Sequence, residues 1–255
     1  ALSREVSVLR TMQNVRRAQS ERGSTTIHTV QLLNELDKSL NVLSGKLREW
    51  YGLHFPELNR VINDHEIYAL LVDRLGNRSR FSPERLGELE LGHSVNEILS
   101  AGKNSMGASL VAEDENHLRG LASNLISLYS YRSSLETLIK QIAEETVPNL
   151  SEVAGSVLAA KLIEKAGGLK KLAMMPSSRV QVIGAEKALF RSKKTGANPP
   201  KHGLIFQHPY IHAKPRKLRG KAARTLAAKL SLAARADAFS GNLIGTELRR
   251  QLDEW

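Results

Sequence analysis

The sequence predicts an all-α protein: a long antiparallel coiled-coil arm with a small helical tip, followed by a globular helical domain. Three observations point there. Leucine recurs at coiled-coil spacing in two stretches of about 30 residues, each longer than an ordinary globular helix. Leu and Ala are abundant while aromatic residues make up only 5% of the 255-residue chain, a composition that favours helix. Nowhere do apolar and polar residues alternate between hairpin turns, the pattern a strand pair would leave.

The first seam is Leu33, Leu36, Leu40, Leu43, Leu47 and Trp50, alternating steps of 3 and 4, which puts all six on one side of a helix. Gly52 and Pro56 end it. The second is Leu118, Leu121, Leu125 and Leu128, interrupted by Arg132 and resumed by Leu135, Ile139 and Ile142, with Pro148 as its stop. An arginine at a seam position is expected to pair with an acid across the interface and so set the register. The residues between the seams carry short helical patterns broken at Gly76-Asn77, Ser82-Pro83, Gly92, Gly102 and Gly107. Asp64 and Ser82 have the short oxygen-bearing side chains that cap helix N-termini, and residues 102–107 read as a loop.

After Pro148 the spacing predicts an amphipathic helix over 151–166, closed by Gly167-Gly168, then a short helical turn over 169–175. Another helix is expected over 184–191, a loop over 195–200, and an Ala/Leu helix over 219–239 closed by Gly241 and Asn242. Leu204-Ile-Phe206 is too short to assign. The expected division is a residual N-terminal segment over 1–23, an arm over 24–147 whose tip occupies about 53–113, and a C-terminal domain over 148–255.

Charge is confined. Residues 184–229 hold twelve Lys or Arg against one acid, Glu186, a net +11 equal to that of the whole chain, so the remainder is neutral. Such concentration predicts a polyanion partner, nucleic acid first. Lys217, Lys221 and Arg224 share one helical face, with flexible Lys193, Lys194 and Lys201 nearby. Phe206, Gln207, His202, His208 and Tyr210 could stack on a base or bond its edge; equally, the aromatic rings could be core and the histidines partners of buried carbonyls. Leu189 and Phe190 read as core.

Chemistry is not expected. Gly220-Lys221 lacks the upstream glycine and the following Ser or Thr of a phosphate-binding loop. His208 and His212 are four apart, but Pro209 intervenes and no third ligand is evident, so no metal is expected. His65-Glu66 and Glu144-Glu145 read as solvated helix faces. With no catalytic residue, no cofactor and no metal, a binding role is predicted. The absence of Cys fits a reducing, cytoplasmic setting, and no apolar run approaches the length of a membrane span.

One block is more specific than charge. Gly184-Ala-Glu-Lys-Ala-Leu-Phe190, Lys194-Thr-Gly196, Pro199-Pro-Lys-His-Gly203, Ile205-Phe-Gln-His-Pro209 and Arg219-Gly-Lys-Ala-Ala-Arg-Thr-Leu-Ala-Ala-Lys229 resemble the Nop-domain family, closest to its archaeal box C/D ribonucleoprotein scaffold branch. Leu47-Arg-Glu-Trp-Tyr-Gly-Leu-His-Phe-Pro-Glu57 is similar to the family as well, so the resemblance runs from about Leu32 onward. It implies an RNA-binding scaffold, not an enzyme. The C-terminal Nop domain would grip a kink-turn in a box C/D guide RNA that already carries a small kink-turn-binding ribosomal-type protein. The particle would perform guide-directed 2′-O-methylation of rRNA by fibrillarin. Fibrillarin would be held by an N-terminal domain that this sequence lacks, residues 1–23 being at most its tail.

The resemblance also distributes roles. Lys187, Arg191, Lys193, Lys194, Lys201, Arg219, Lys221 and Arg224 are expected at RNA phosphates, His202 and Gln207 at nucleotide-specific contacts, and Glu186 and Lys187 at the protein partner. A homodimer through the coiled coil is expected, with Leu118, Leu121, Leu125, Leu128, Arg132 and Leu135 assigned to it. Two alternatives stay open: a coiled-coil adaptor whose basic face binds nucleic acid without specificity, and a spliceosomal relative.

Overall fold

The computed structural model describes residues 22–89 and 94–254. The expected N-terminal segment, 1–23, lies outside these but for its last two residues. Among the described residues every regular element is helical and none is a strand, as the composition and periodicity predicted. The described residues form two compact units, one within 33–134 and one of 22–32 with 135–254. The division falls within the two long helices and not at Pro148, where proline was expected to end one segment.

The first unit holds most of α1 (Arg22–Tyr51) and α6 (Ala112–Thr146), with α2 (Leu58–Val61), α3 (His65–Leu75), α4 (Pro83–Gly87) and α5 (Ser94–Lys103) between them. Arg132 Nε donates to Asp37 Oδ1 at 2.5 Å, and Ser44 Oγ meets the Tyr129 hydroxyl at 3.1 Å. Rising numbers on α1 therefore meet falling numbers on α6, so the pair is antiparallel. The seam departs from a strict heptad. Leu33, Leu36, Leu40 and Leu47 are buried, but Ser44 replaces Leu43 in the interface and Tyr51 replaces Trp50, which is exposed. The physical reason is the helix itself: a straight helix of 3.6 residues per turn drifts about 20° per heptad from a 3.5 repeat. By the fifth step the inward position has moved one residue on.

Leu118, Leu125 and Leu135 are buried within the single chain, Leu121 and Leu128 are half-buried, and Arg132 is paired with Asp37. The seam assigned to dimerisation is thus occupied by the chain's own packing. What the arginine does matches the expectation for a seam cation; its partner is intramolecular.

The tip is organised by His54 and Arg78. The His54 ring is buried, its Nδ1 pairs with the Ala108 carbonyl at 2.8 Å, and its Nε2 accepts from Arg78 N–H at 3.0 Å, which fixes the neutral Nδ1–H tautomer. The Arg78 guanidinium donates to the His54 carbonyl, to Ser105 Oγ and to Gly107 O. Glu57 accepts from Ser105 Oγ and from Met106 N–H. The loop after α5 is therefore pinned at both ends. Gly107 is required there by close approach, since a Cβ would lie 2.0 Å from the His54 carbonyl oxygen. Asp64 caps α3 through Glu66 N–H and Ile67 N–H, and Ser82 caps α4.

The second unit is a helical domain built around α13 (Arg219–Arg235). The unit also contains α7 (Pro148–Ala154), α8 (Ser156–Ala166), α9 (Leu169–Met174), α10 (Ser177–Val182), α11 (Glu186–Thr195), α12 (Pro209–His212) and α14 (Gly245–Asp253). The helix expected over 151–166 is two helices, because Gly155 at φ 80° turns the chain between α7 and α8. Residues 204–207 form a 3₁₀ turn, and α13 runs on into a π-helical turn over Ala236–Ser240 before Gly241 ends it at φ 69°. Ala222, Ala223, Ala227, Ala233 and Ala234 are all buried. These small side chains let α7, α9, α10 and α14 approach α13 from several sides.

Asn149 and Asp237 lock the C-terminus onto this core. Asp237 accepts from the N–H groups of Asn149 and Leu150 at the start of α7 and from Asn149 Nδ2. Asn149 Oδ1 accepts from Ile244 N–H and Gly245 N–H at 2.6 and 2.7 Å, and its Nδ2 donates to Asn242 O. One asparagine thus takes two of the four N–H groups that open α14.

Candidate nucleic-acid interface

Three pieces carry the cations: α11, the loop after it, and α13. On α11, Leu189 and Ser192 turn inward. At about 100° per residue the opposite side carries Lys187, Phe190, Arg191 and Lys194. All four are exposed, Phe190 by 63%. The expectation that Phe190 is core is therefore corrected: the ring stands among three cations. The signal was in the sequence, as residues 187, 190, 191 and 194 share a helical face. Reading Phe190 by hydrophobicity alone concealed it. Leu189 is half-buried, against a cavity of about 380 Å³ that Lys165, Arg179 and Phe190 also line.

The loop is tied back by short backbone contacts. Gly203 N–H donates to Gln181 O at 2.9 Å, Leu204 N–H to Ile183 O at 2.8 Å, and Gln181 Nε2 to Lys201 O at 2.7 Å. Gly203 must be glycine, since a Cβ would stand 2.0 Å from the Ile183 oxygen. Gly184 faces Leu204 across the same strap at φ 83°. These contacts hold the start of α11 beside the loop. At the other end, the Lys201 stem lies over Gly220, within van der Waals reach of a Cβ built there. Loop and α13 meet there.

Beyond the loop, an aromatic stack fills the corner. His202 lies on Phe206 with ring centroids 4.4 Å apart and planes 13° from parallel; His212 meets the Phe206 edge, and the Arg219 guanidinium sits 5.3 Å from the same ring. Arg219 Nε also donates to Lys214 O at 2.9 Å, and its terminal nitrogen to His212 O at 3.2 Å. Its guanidinium is committed to the backbone and the ring, so the expected phosphate contact gives way to a positioning role. Burial, then the charge of Arg219, holds the His202 imidazole below its ordinary pKa. His208 caps α12 by accepting from Tyr210 N–H at 3.1 Å, and burial lowers its pKa as well. Phe206 and Tyr210 pack partly against the core, and Gln207 is exposed.

Along α13 the outward stripe is Lys221, Arg224, Ala228, Leu232 and Arg235. Lys217 is exposed just before the helix begins. Lys229 turns the other way and donates to Gln251 of α14. Glu186 is exposed, with one carboxylate oxygen accepting from Gly184 N–H at 2.7 Å. Lys187, Arg191, Lys193, Lys194, Lys201, Lys221 and Arg224 all keep their side chains at the surface. Among the described residues no group of acids and histidines could hold a metal ion, and no helix is long and apolar enough to cross a membrane.

An all-helical module with a cationic, aromatic-studded face strapped to a small core has the features of a nucleic-acid-binding domain. Its lineage is specific. The sequence profile of the Nop family, described as "snoRNA binding domain, fibrillarin", matches residues 32–255. The chain belongs to that family. A NOP5 family protein of Methanocaldococcus jannaschii is 44% identical over 228 residues, covering 89% of this chain and 55% of that protein. Human nucleolar protein 56 is 41% identical over 235 residues, covering 89% of this chain and 40% of that protein. The chain thus spans about half the length of these relatives or less. A crystal structure of a fibrillarin/Nop5p complex is similar with a TM-score of 0.53 and 25% identity, over 99% of this chain and 77% of that one.

Proposed function

We propose that this chain is the RNA- and protein-binding scaffold portion of a box C/D ribonucleoprotein, acting in the archaeal cell interior. It grips a kink-turn guide RNA on which a small ribosomal-type protein already sits, and it supports 2′-O-methylation of rRNA by fibrillarin without catalysing it. One observation carries the reading. The strap between Gln181–Gly184 and Lys201–Leu204, with Lys201 seated over Gly220, gathers α11, the loop and α13 into a single surface. Lys187, Arg191, Lys193, Lys194, Lys201, Lys221 and Arg224 meet phosphates, while His202, Gln207 and Phe190 contact bases by edge and by stacking. Glu186 and Lys187, at the first turn of α11, face the protein partner.

The test is a titration of kink-turn RNA with and without its small binding protein. Binding should be weak on RNA alone and tighten when the protein is loaded first. Equal affinity in both cases, or equal affinity for duplex DNA, would favour the non-specific adaptor instead.

The homodimer belongs to the same proposal. Because the arm's inner seam is filled by its own chain, contact between copies uses the outer faces, where Val42 and Tyr131 are 63% and 47% exposed. Val42→Asp with Tyr131→Asp should give a monomer by light scattering; an unchanged dimer mass refutes this placement.

A further inference from the structure

We propose that the RNA-binding surface has a second phosphate seat at the far end of α13, formed by Lys170, Lys171 and Arg235, which takes the backbone of an RNA stem extending beyond the kink-turn. This rests on the RNA-binding reading above and enlarges its footprint.

The charge pattern supports it first. Between Lys161 and Lys229 the sequence holds seventeen Lys and Arg against two acids, Glu164 and Glu186, a net +15 that leaves the rest of the chain at −4. The basic segment is therefore longer than its densest part and reaches back through α8 and α9. Geometry supports it next. Arg235 lies on the same outward stripe of α13 as Lys221 and Arg224, fourteen residues from Lys221. At 1.5 Å per residue that is about 20 Å along a rigid helix. Arg235 Nε donates to Ala173 O at 3.1 Å, so α9 is docked at this end of the stripe. Leu172 and Ala173 are buried there, which leaves Lys170 and Lys171 exposed beside Arg235.

The acids near this seat are occupied. Glu164 is paired with Lys165 at 3.4 Å, and the Asp237 carboxylate is bound by α7 N–H groups and Asn149. The end of the Lys171 side chain, Nζ included, lies over Gly167 at the C-terminus of α8, a position that suits the helix dipole. That accounts for one cation of the three. Arg235 commits its Nε alone to the Ala173 carbonyl, unlike Arg219, whose terminal nitrogen is bound as well, and Lys170 points outward as an exposed cation. Arg179, on α10, borders the cavity that Leu189 and Phe190 of α11 also line, which extends the positive surface back from the first seat; Lys165 lines it too, its charge shared with Glu164.

The experiment uses the full chain and kink-turn RNA preloaded with its small binding protein, in two lengths. One stem ends at the motif; the other is extended by a full helical turn. Lys170→Gln with Lys171→Gln keeps the side-chain stems and removes two charges. On the extended RNA the log–log salt slope should fall by about 0.7 to 1.8, the Lys170 contact alone at the least and both contacts at the most, at roughly 0.7 to 0.9 per phosphate contact. On the short RNA it should not change, whereas Lys221→Ala with Arg224→Ala should weaken both. An unchanged slope on the extended RNA, or an equal loss on both lengths, overturns the second seat while leaving the first intact. If the unaltered chain binds neither RNA, the RNA-binding reading itself fails and the seat with it.

Discussion

Asn149→Ala should be among the most damaging single changes in the second unit. The asparagine side chain accepts from two backbone N–H groups, Ile244 and Gly245, and donates to Asp237 and to the Asn242 carbonyl. Alanine leaves both N–H groups and one carbonyl without their partner. Water cannot readily replace them at Gly245, which is buried and packed so closely that a Cβ on it would lie 2.9 Å from the Asn149 Cα. Each unmet buried group costs about 1–3 kcal/mol, and solvent reaches Asn242, so the total is roughly 3–5 kcal/mol. For a domain of this size that lowers Tm by roughly 10–15 °C. Thermal unfolding by circular dichroism measures it. Asn242→Ala is the control: its hydrogen bonds are made by the backbone, the carbonyl with Asn149 and the N–H with Ser240, so Tm should move by about 2 °C or less. If Asn149→Ala melts within a few degrees of the parent chain, α14 does not depend on this network and the reasoning is wrong.

Three further outcomes are expected. Burial lowers the pKa of His54, His202 and His208, so the unfolded chain binds more protons than the folded one below pH of about 6.5. Stability should be complete above that pH and fall as pH drops through the folded values; a urea midpoint that holds or rises between pH 7 and pH 5 contradicts this. Gly203→Ala should destabilise the chain and weaken RNA binding together, because its Cβ displaces the strap from Ile183; binding lost with stability intact, or the reverse, would separate the two. Arg132 and Asp37 are each about one-third exposed, so a double-mutant cycle should give roughly 0.5–1 kcal/mol of coupling, falling with salt. A coupling near zero would remove the pair as a register device.

The heptads, the helix caps at Asp64 and Ser82 and the charge concentration were legible in sequence because each depends on neighbours in the chain. A helix brings residues 3 and 4 apart onto one face whatever surrounds it. The motif block carried the family differently: its Gly184 and Gly203 answer close approaches to Leu204 and Ile183, about twenty residues away, and were legible as a pattern and not as local fit. Phe190 was readable too, once placed on its helical face and not judged by type.

What required the tertiary structure was every choice between two uses of one side chain. Arg219 and Arg224 sit on the same helix with the same charge, yet one is held by the carbonyls of Lys214 and His212 and the other is exposed. Lys229 looks like its neighbours but bonds Gln251. Leucines that could pair two copies are buried within one. By itself the sequence determined an all-helical, basic member of the Nop family. Only the fold decided which cations face outward and which surfaces remain open, because those depend on groups many residues away that arrive at hydrogen-bonding distance after the chain has packed.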